Sequence, residues 1–286
     1  MFAYIYQFID SFSFLVLSAI GLAIVFGMMN IINMAHGEFI MLGAYAFTVA
    51  YNNGIPFVPS VAIAAVFVAV FGIIIDRVVI CRLYSRPLDS IVVTYGLSLA
   101  LSQLIQIIFG PTMPAVGIPL GSVTISGGNY SLYRIVLFVC SLILLFVFYM
   151  LFNHTKFGIY SRATMQNPEV ASSLGINTNL EYSVTFAIGA GIAGLTGALY
   201  APLMSVIPTM GESFIIQAFT TVVVGGANPL VGTTLSGIVL GLVNGSASLA
   251  GGAFMGRIAM LIAAIICIRI LPGGFSGLID KIKRGA

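Results

Sequence analysis

The chain has 286 residues, 59% apolar and only 7% charged, with a formal net charge of +3 and a mean hydropathy of +1.12. Soluble domains carry about 25% charged residues, so this composition excludes a soluble enzyme and a nucleic-acid binder and calls for an integral membrane protein. Residues 39–75, 90–133, 182–211 and 213–256 hold no Asp, Glu, Lys or Arg.

About 20 apolar residues cross a bilayer as a helix, and backbone groups in lipid must be satisfied within the segment. The apolar runs predict helices at 11–29, 37–52, 58–80, 90–110, 132–153, 182–206, 213–227, 231–250 and 254–271. The second and seventh are short and flanked by glycine and asparagine, so a broken or re-entrant helix fits them as well as a full crossing. The expected fold class is an all-α polytopic membrane protein of eight or nine transmembrane helices, built as a single domain over residues 1–286. Met1–Gln7 is uncharged and the first apolar run continues past 20 residues, unlike a cleavable signal, so the first span is expected to be retained.

In chain order, the first unusual segment is GMMNIINMAHGEF, residues 27–39. Asn30, Asn33, His36 and Glu38 interrupt sequence at lipid depth, where ionisable groups tend to face a cavity or a partner. Gly27 and Gly37 are placed to let the backbone bend. Two readings stand here: a hinge or solute pathway, and a cytoplasmic turn in which Glu38 is the first-turn acid of the next helix. The segment YNNGIPFVP (51–59) is expected to be an exposed turn.

RPLDSIVVTYGLSLALSQ, residues 86–103, opens a helix with Pro87 in the first turn and Asp89 against the helix dipole. Thr94, Ser98 and Ser102 recur every four residues and share a face, with Tyr95 beside them. That face suits helix packing or a polar lining for a small neutral solute. The uncharged stretch 111–131, rich in Gly, Pro and Ser, is expected to be loop.

The segment 154–181 is the longest polar stretch. Asn167, Pro168 and Glu169 form a helix-start signal, residues Ala163 to Leu174 predict a short surface helix, and Gly175 supplies its stop. Small Ala171 suits a knob seated in another subunit. Further on, FAIGAGIAGLTGALYAP (186–202) repeats Gly189, Ala193 and Gly197 every four residues, which lets helices approach closely in lipid. VVGGANPLVGTTLSGIVLGLVNG (223–245) reads first as the same small-residue packing, although Gly225, Gly226 and Asn228 before Pro229 also suggest a broken helix.

Basic residues collect on the cytoplasmic side of membrane proteins. Arg77, Arg82, Arg86, Lys156, Arg162, Arg269, Lys281, Lys283 and Arg284 share one side if the N-terminus is outside and the C-terminus cytoplasmic. Arg134 and Arg257 fall on the other, at span ends where a long side chain can snorkel. Cys81, Cys140 and Cys267 are far apart with no CxxC pair, so neither a zinc site nor a disulfide framework is encoded, and no metal is expected. No GxxxxGK[ST] loop or serine nucleophile elbow occurs, and with only His36 and His154 a hydrolytic site is hard to build. No cofactor is expected in this chain, and any ATP dependence must come from a partner.

GLAIVFGMMNIINMAHGEFIMLGAYAF, RATMQNPEVASSLGINT and VVVGGANPLVGTTLSGIVLG together resemble the permease subunits of ABC importers of the branched-chain amino acid and urea type, over nearly the whole chain. RPLDS followed by TYG, and TMQN before PEVASSLGI, look more like the urea and short-chain amide permeases. The resemblance implies an ABC importer permease fold in a bacterial inner membrane. Its implied partners are a second homologous permease, expected to make a heterodimer, two ATPase subunits that bind ATP and magnesium, and an extracytoplasmic binding protein that delivers solute. It also implies that Ala163, Glu169, Ala171 and Gly175 lie where the family's permeases meet their ATPases. Urea or a short amide is the expected cargo, with Asn30, Asn33, His36, Glu38, Thr94, Tyr95 and Ser98 as the candidate pathway. Amino acids are the alternative cargo for the same machinery, and a passive urea or amide channel is a further rival.

Overall fold

The computed structural model describes residues 2–84, 86–125, 128–226 and 228–278; Lys281, Lys283 and Arg284, and Ala227 of the Gly-Asn-Pro segment, lie outside them. The chain is helical almost throughout. Its order is α1 (Phe2–Met29), α2 (His36–Asn52), α3 (Phe57–Val78), a 3-10 turn (Ile80–Leu83), α4 (Pro87–Phe109), β1 (Ser122–Ile125), β2 (Gly128–Ser131), α5 (Leu132–His154), α6 (Lys156–Gln166), α7 (Pro168–Ser173), α8 (Thr178–Tyr200), α9 (Met210–Gly225) and α10 (Pro229–Ile270). Six of these helices are long and apolar enough to cross a membrane, α10 being counted once, and α9 is a shorter apolar helix.

The 42 residues of α10 would extend about 63 Å if straight, roughly twice a bilayer core. They do not run straight, because Gly252 takes φ 84° and ψ 173°. Beyond it the chain doubles back, so that Leu240 packs with Met260 and Ala264 and Asn244 Nδ2 lies 3.7 Å from Met260 Sδ. The two arms match the separate helices expected at 231–250 and 254–271.

Three expectations change. Helix α1 begins nine residues earlier than its apolar run, because residues 2–10 cover a β-hairpin: Tyr6 Oη lies within hydrogen-bonding distance of both Ser131 O and Ser131 N, and the Phe2 and Tyr6 rings meet Tyr130 edge-on. That hairpin, β1 paired antiparallel with β2, replaces part of the expected loop at 111–131, since Val123, Thr124 and Ile125 are β-branched and suit a strand. Arg134 does not merely snorkel; it pairs with Asp10 of α1.

The chain divides into two compact units. One comprises 1–20, 118–147 and 217–286, and holds the hairpin, the Asp10–Arg134 pair and the α10 reversal. At its Gly-Asn-Pro segment, α9 ends at Gly225, Gly226 takes φ +87°, and Asn228 Oδ1 caps the N–H groups of Leu230 and Val231. The broken-helix expectation for this segment therefore holds at its described residues.

The other unit comprises 21–117 and 148–216, and its axis is α8. With lipid outside, helices associate through close packing of small residues more than through hydrophobic gain. Helix α8 presents such a surface to two neighbours. A Cβ on Gly197 would lie 1.8 Å from the Ile40 carbonyl oxygen of α2, and one on Gly194 would lie 2.6 Å from the Val68 Cβ of α3. Gly189 faces Gly21 of α1 in the same way. The four-residue glycine spacing is thus a packing surface.

Candidate functional site

Helix α1 stops at Met29, and Asn30 adopts φ 51°, a left-handed conformation that asparagine tolerates better than most residues. Residues 30–35 are not helical, and α2 resumes at His36. The bend expected at Gly27 or Gly37 therefore sits at Asn30. Gly37 serves close packing instead, since a Cβ there would come within 2.4 Å of the Gly211 carbonyl oxygen.

The break is not an exposed turn. Ile31, Asn33, Ala35, His36 and Glu38 are all buried, whereas Asn30 is exposed. Irregular backbone at membrane depth must find hydrogen-bond partners within the protein, and α4 supplies them. The Met34 N–H donates to Thr94 Oγ1 at 2.9 Å and the Ile32 N–H to Ser90 Oγ at 3.3 Å. Thr94 Oγ1 donates to the Ser90 carbonyl at 2.6 Å, with the Ile32 carbonyl 3.2 Å away. Asn33 closes its own turn, its Oδ1 accepting the Ala35 N–H at 3.0 Å.

Two turns further along α4, Ser102 Oγ donates to Glu38 Oε1 at 3.2 Å, and Ser98 lies beside the same carboxylate. Glu38 lies in the first turn of α2, where an acid complements the helix dipole. The His36 ring lies against α1, its Cε1 3.0 Å from where a Gly21 Cβ would be. The structure thus brings Asn33, Glu38, Thr94 and Ser98 together at the break, with His36 on its far side. Tyr95 is exposed and points away from this cluster, one residue off the face of Thr94. Sequence reasoning missed Ser90, although it extends the four-residue rhythm of Thr94, Ser98 and Ser102 by one step.

The second expected site is the polar segment between α5 and α8. The single helix expected from Ala163 to Leu174 is two helices, α6 and α7, parted at Asn167. A residue before proline is pushed out of the α region, and Asn167 takes φ −157° and ψ 103°. Its Oδ1 then caps α7, accepting the Glu169 N–H at 3.0 Å and the Val170 N–H at 3.1 Å. Gly175 turns the chain at φ +87°. Ala171 is buried, Ala163 half-buried, and Glu169 and Gly175 exposed. Around them Ile159, Val170 and Leu174 present large apolar side chains outward.

A third cluster was not foreseen. Asp76, in the last turn of α3, is fully buried. Its Oδ1 accepts from Tyr84 Oη at 2.7 Å and its Oδ2 from Ser183 Oγ at 2.6 Å. The signal was an acid within the apolar run GIIIDRVV, a position that marks functional residues in membrane spans.

Among the described residues no group of three His, Cys, Asp or Glu side chains could hold a metal ion. The three clusters are made of hydroxyls, carboxylates and capped helix ends, which suits contact with a solute or a protein rather than bond-making chemistry.

Comparison with known proteins agrees with this picture. The family described as branched-chain amino acid transport system / permease component matches residues 4–271. The chain is 30% identical to the high-affinity branched-chain amino acid transport system permease protein BraD of Pseudomonas aeruginosa, over 79% of each chain. It is 29% identical to the probable branched-chain amino acid transport permease protein LivH of Methanocaldococcus jannaschii, over 94% of this chain and 91% of that one. A ribose import permease of Escherichia coli, RbsC, is 30% identical over 40% of this chain and 37% of its own. No solved structure matches. A match across 4–271, with relatives that are transport permeases rather than enzymes, means that this chain belongs to the branched-chain amino acid permease family of ABC transporters, multi-pass membrane subunits that work with ATPase and binding-protein partners.

Proposed function

We propose that this chain forms the membrane pathway of an ATP-driven importer whose cargo is a branched-chain amino acid. The family match over residues 4–271 carries this reading. The names of the relatives favour amino acids, the alternative cargo, over the urea or short amide suggested by RPLDS, TYG and TMQN. The buried Glu38 carboxylate is compatible with a cargo that bears an ammonium group, and a pathway needs only weak contacts, since a solute bound tightly cannot leave.

In this reading α6 and α7 seat on the partner ATPases, with Ala163, Glu169, Ala171 and Gly175 at or beside the contact. A second, homologous permease completes the membrane pair as a heterodimer. An extracytoplasmic binding protein delivers the cargo, and the assembly sits in a bacterial inner membrane with the N-terminus outside and the C-terminus in the cytoplasm. ATP binding closes the ATPases, moves α6 and α7, and turns the pathway from outside to inside. The exposed apolar residues Val170 and Leu174 on a capped helix support this, because a passive pore has no engine to meet.

The test is ATPase activity of the complete transporter in proteoliposomes, with the binding protein loaded in turn with leucine, urea or acetamide. Stimulation by leucine alone is the expected result. Stimulation by urea or acetamide alone would return the cargo to the amide class, and solute flux without ATP would replace the importer by a channel.

A further inference from the structure

We propose that Asp76 is a positioning residue that clasps the start of α8 to the end of α3, so that α6, α7 and the start of α4 move as one body. The inference rests on the importer reading, in which α6 and α7 receive the ATPase stroke.

A chain of hydrogen bonds runs outward from α7. The chain leaves α7 through Gly175, where the Ile176 N–H returns to the Ala171 carbonyl at 3.1 Å, and enters α8 at once, with Asn177 Oδ1 capping the Leu180 N–H. Helix α6 joins the same end of α8, since Ser161 Oγ donates to Glu181 Oε2 at 3.1 Å. Two residues along, Ser183 Oγ donates to Asp76. The other carboxylate oxygen of Asp76 holds Tyr84, two residues before α4 begins its cap at Arg86. The first turns of α4 then carry Ser90 and Thr94, which hold the broken segment at Ile32 and Met34. One carboxylate therefore sits between the elements expected to meet the ATPase and those that shape the break in the membrane.

The chemistry of the clasp is specific. A buried carboxylate is expensive unless its oxygens are satisfied, and among the described residues no Lys or Arg forms an ion pair with Asp76. Two hydroxyl donors from two different elements satisfy it instead, so holding the charge and holding the elements together are one act. The Tyr84 phenol is pushed far above its ordinary pKa by burial, and further by its hydrogen bond to Asp76, so it remains a donor at every physiological pH. Its ring also packs against Tyr182 of α8, with centroids 4.6 Å apart.

Spatial continuity does not by itself prove coupling, so the test needs both a functional and a mechanical readout. In the reconstituted transporter, Asp76→Asn is expected to assemble and keep basal ATPase activity while solute-stimulated activity falls by about tenfold, within the usual range of allosteric coupling. Tyr84→Phe and Ser183→Ala, which keep the carboxylate and remove one donor each, are expected to lose part of the stimulation and to be non-additive when combined. Stimulation within twofold of wild type in Asp76→Asn overturns the proposal. So does an equal fall of basal and stimulated activity in Tyr84→Phe and Ser183→Ala, which marks a merely structural role. Should Asp76→Asn not assemble, those two variants decide the matter.

The mechanical readout needs no cargo. Spin labels at exposed Val170 of α7 and Leu88 of α4 are expected to keep one distance in wild type with and without ATP, and to give a broadened distribution in Ser183→Ala. A wild-type distance that shifts with ATP overturns the clasp even if leucine proves to be the cargo. A fixed distance with no stimulation by any solute keeps the clasp and overturns the cargo instead.

Discussion

Thr94 shows how one hydroxyl can serve a membrane protein. It is fully buried and both donates to and accepts from backbone groups, with the Met34 N–H as its donor partner. That N–H belongs to a non-helical stretch and has no helical carbonyl to fall back on. Hydrogen bonds between membrane helices average about 0.6 kcal/mol when alternative partners exist, whereas an orphaned buried donor costs about 1–3 kcal/mol. Thr94→Val, equal in shape, is therefore expected to lower stability by the larger amount and Thr94→Ser to stay near wild type, as read by thermal unfolding in detergent. Equal stability of the two would mean that the break finds its partners elsewhere. Glycines divide by the same logic. Gly197→Ala would put its Cβ 1.8 Å from the Ile40 carbonyl oxygen, against backbone that cannot yield, whereas nothing lies within 4 Å of a Cβ on Gly96. Gly197→Ala is expected to abolish recovery of folded protein, and Gly96→Ala to leave it unchanged or improve it by about 1 kcal/mol of helix propensity.

At the scale of elements, Asn167 decides that 156–173 is two helices and not one. Its side chain replaces the hydrogen bonds that Pro168 and the chain break remove, so its loss is felt first by α7. Asn167→Ala is expected to cost about 1 kcal/mol and to speed amide exchange at Glu169 and Val170 while leaving α6 protected. Unchanged exchange at those two amides would show that α7 does not depend on its cap. The start signal of α7 was readable in advance because helix starts are written locally, in Asn-Pro-Glu, but the break it makes with α6 was not, and one helix from Ala163 to Leu174 was expected. The two arms of α10 were readable because each is an apolar run long enough for a span of its own, while the reversal between them is set by Gly252 at φ 84°. What could not be read was partnership across the chain. Thr94 and Ser98 advertised a polar face, but nothing in their spacing says that the face is taken up by the backbone of residues 32–34 and by Glu38, 60 or so positions earlier. Asp76 was passed over although it lies inside the helix expected at 58–80, because nothing local names its two donors, which lie 8 and 107 residues away. The hairpin at 122–131 was missed because Gly, Pro and Ser outweighed three consecutive β-branched residues.

At the scale of the molecule, charge and structure converge on one face of the unit formed by 21–117 and 148–216. Within it the end of α3 meets the start of α8 through Asp76 and Ser183, and α6 meets the same end through Ser161 and Glu181. Arg77, Arg82, Lys156 and Arg162 are therefore gathered at one end, while the uncharged turn at 53–56 closes the opposite ends of α2 and α3. Bases collect on the cytoplasmic side, so that end is expected to face the cytoplasm together with α6 and α7. Cys81 makes this measurable without a new cysteine, because it is exposed in the 3-10 turn, while Cys140 and Cys267 are only half-exposed and lie within α5 and α10. A membrane-impermeant maleimide is expected to leave Cys81 unreacted in intact spheroplasts and to label it once the membrane is opened, whereas Asn53→Cys reacts in both. Labelling of Cys81 in intact spheroplasts would invert the orientation. It would also remove α6 and α7 from the ATPase side, since the hydrogen bonds of Ser161 and Ser183 do not allow the basic end to face one way and the helix pair the other.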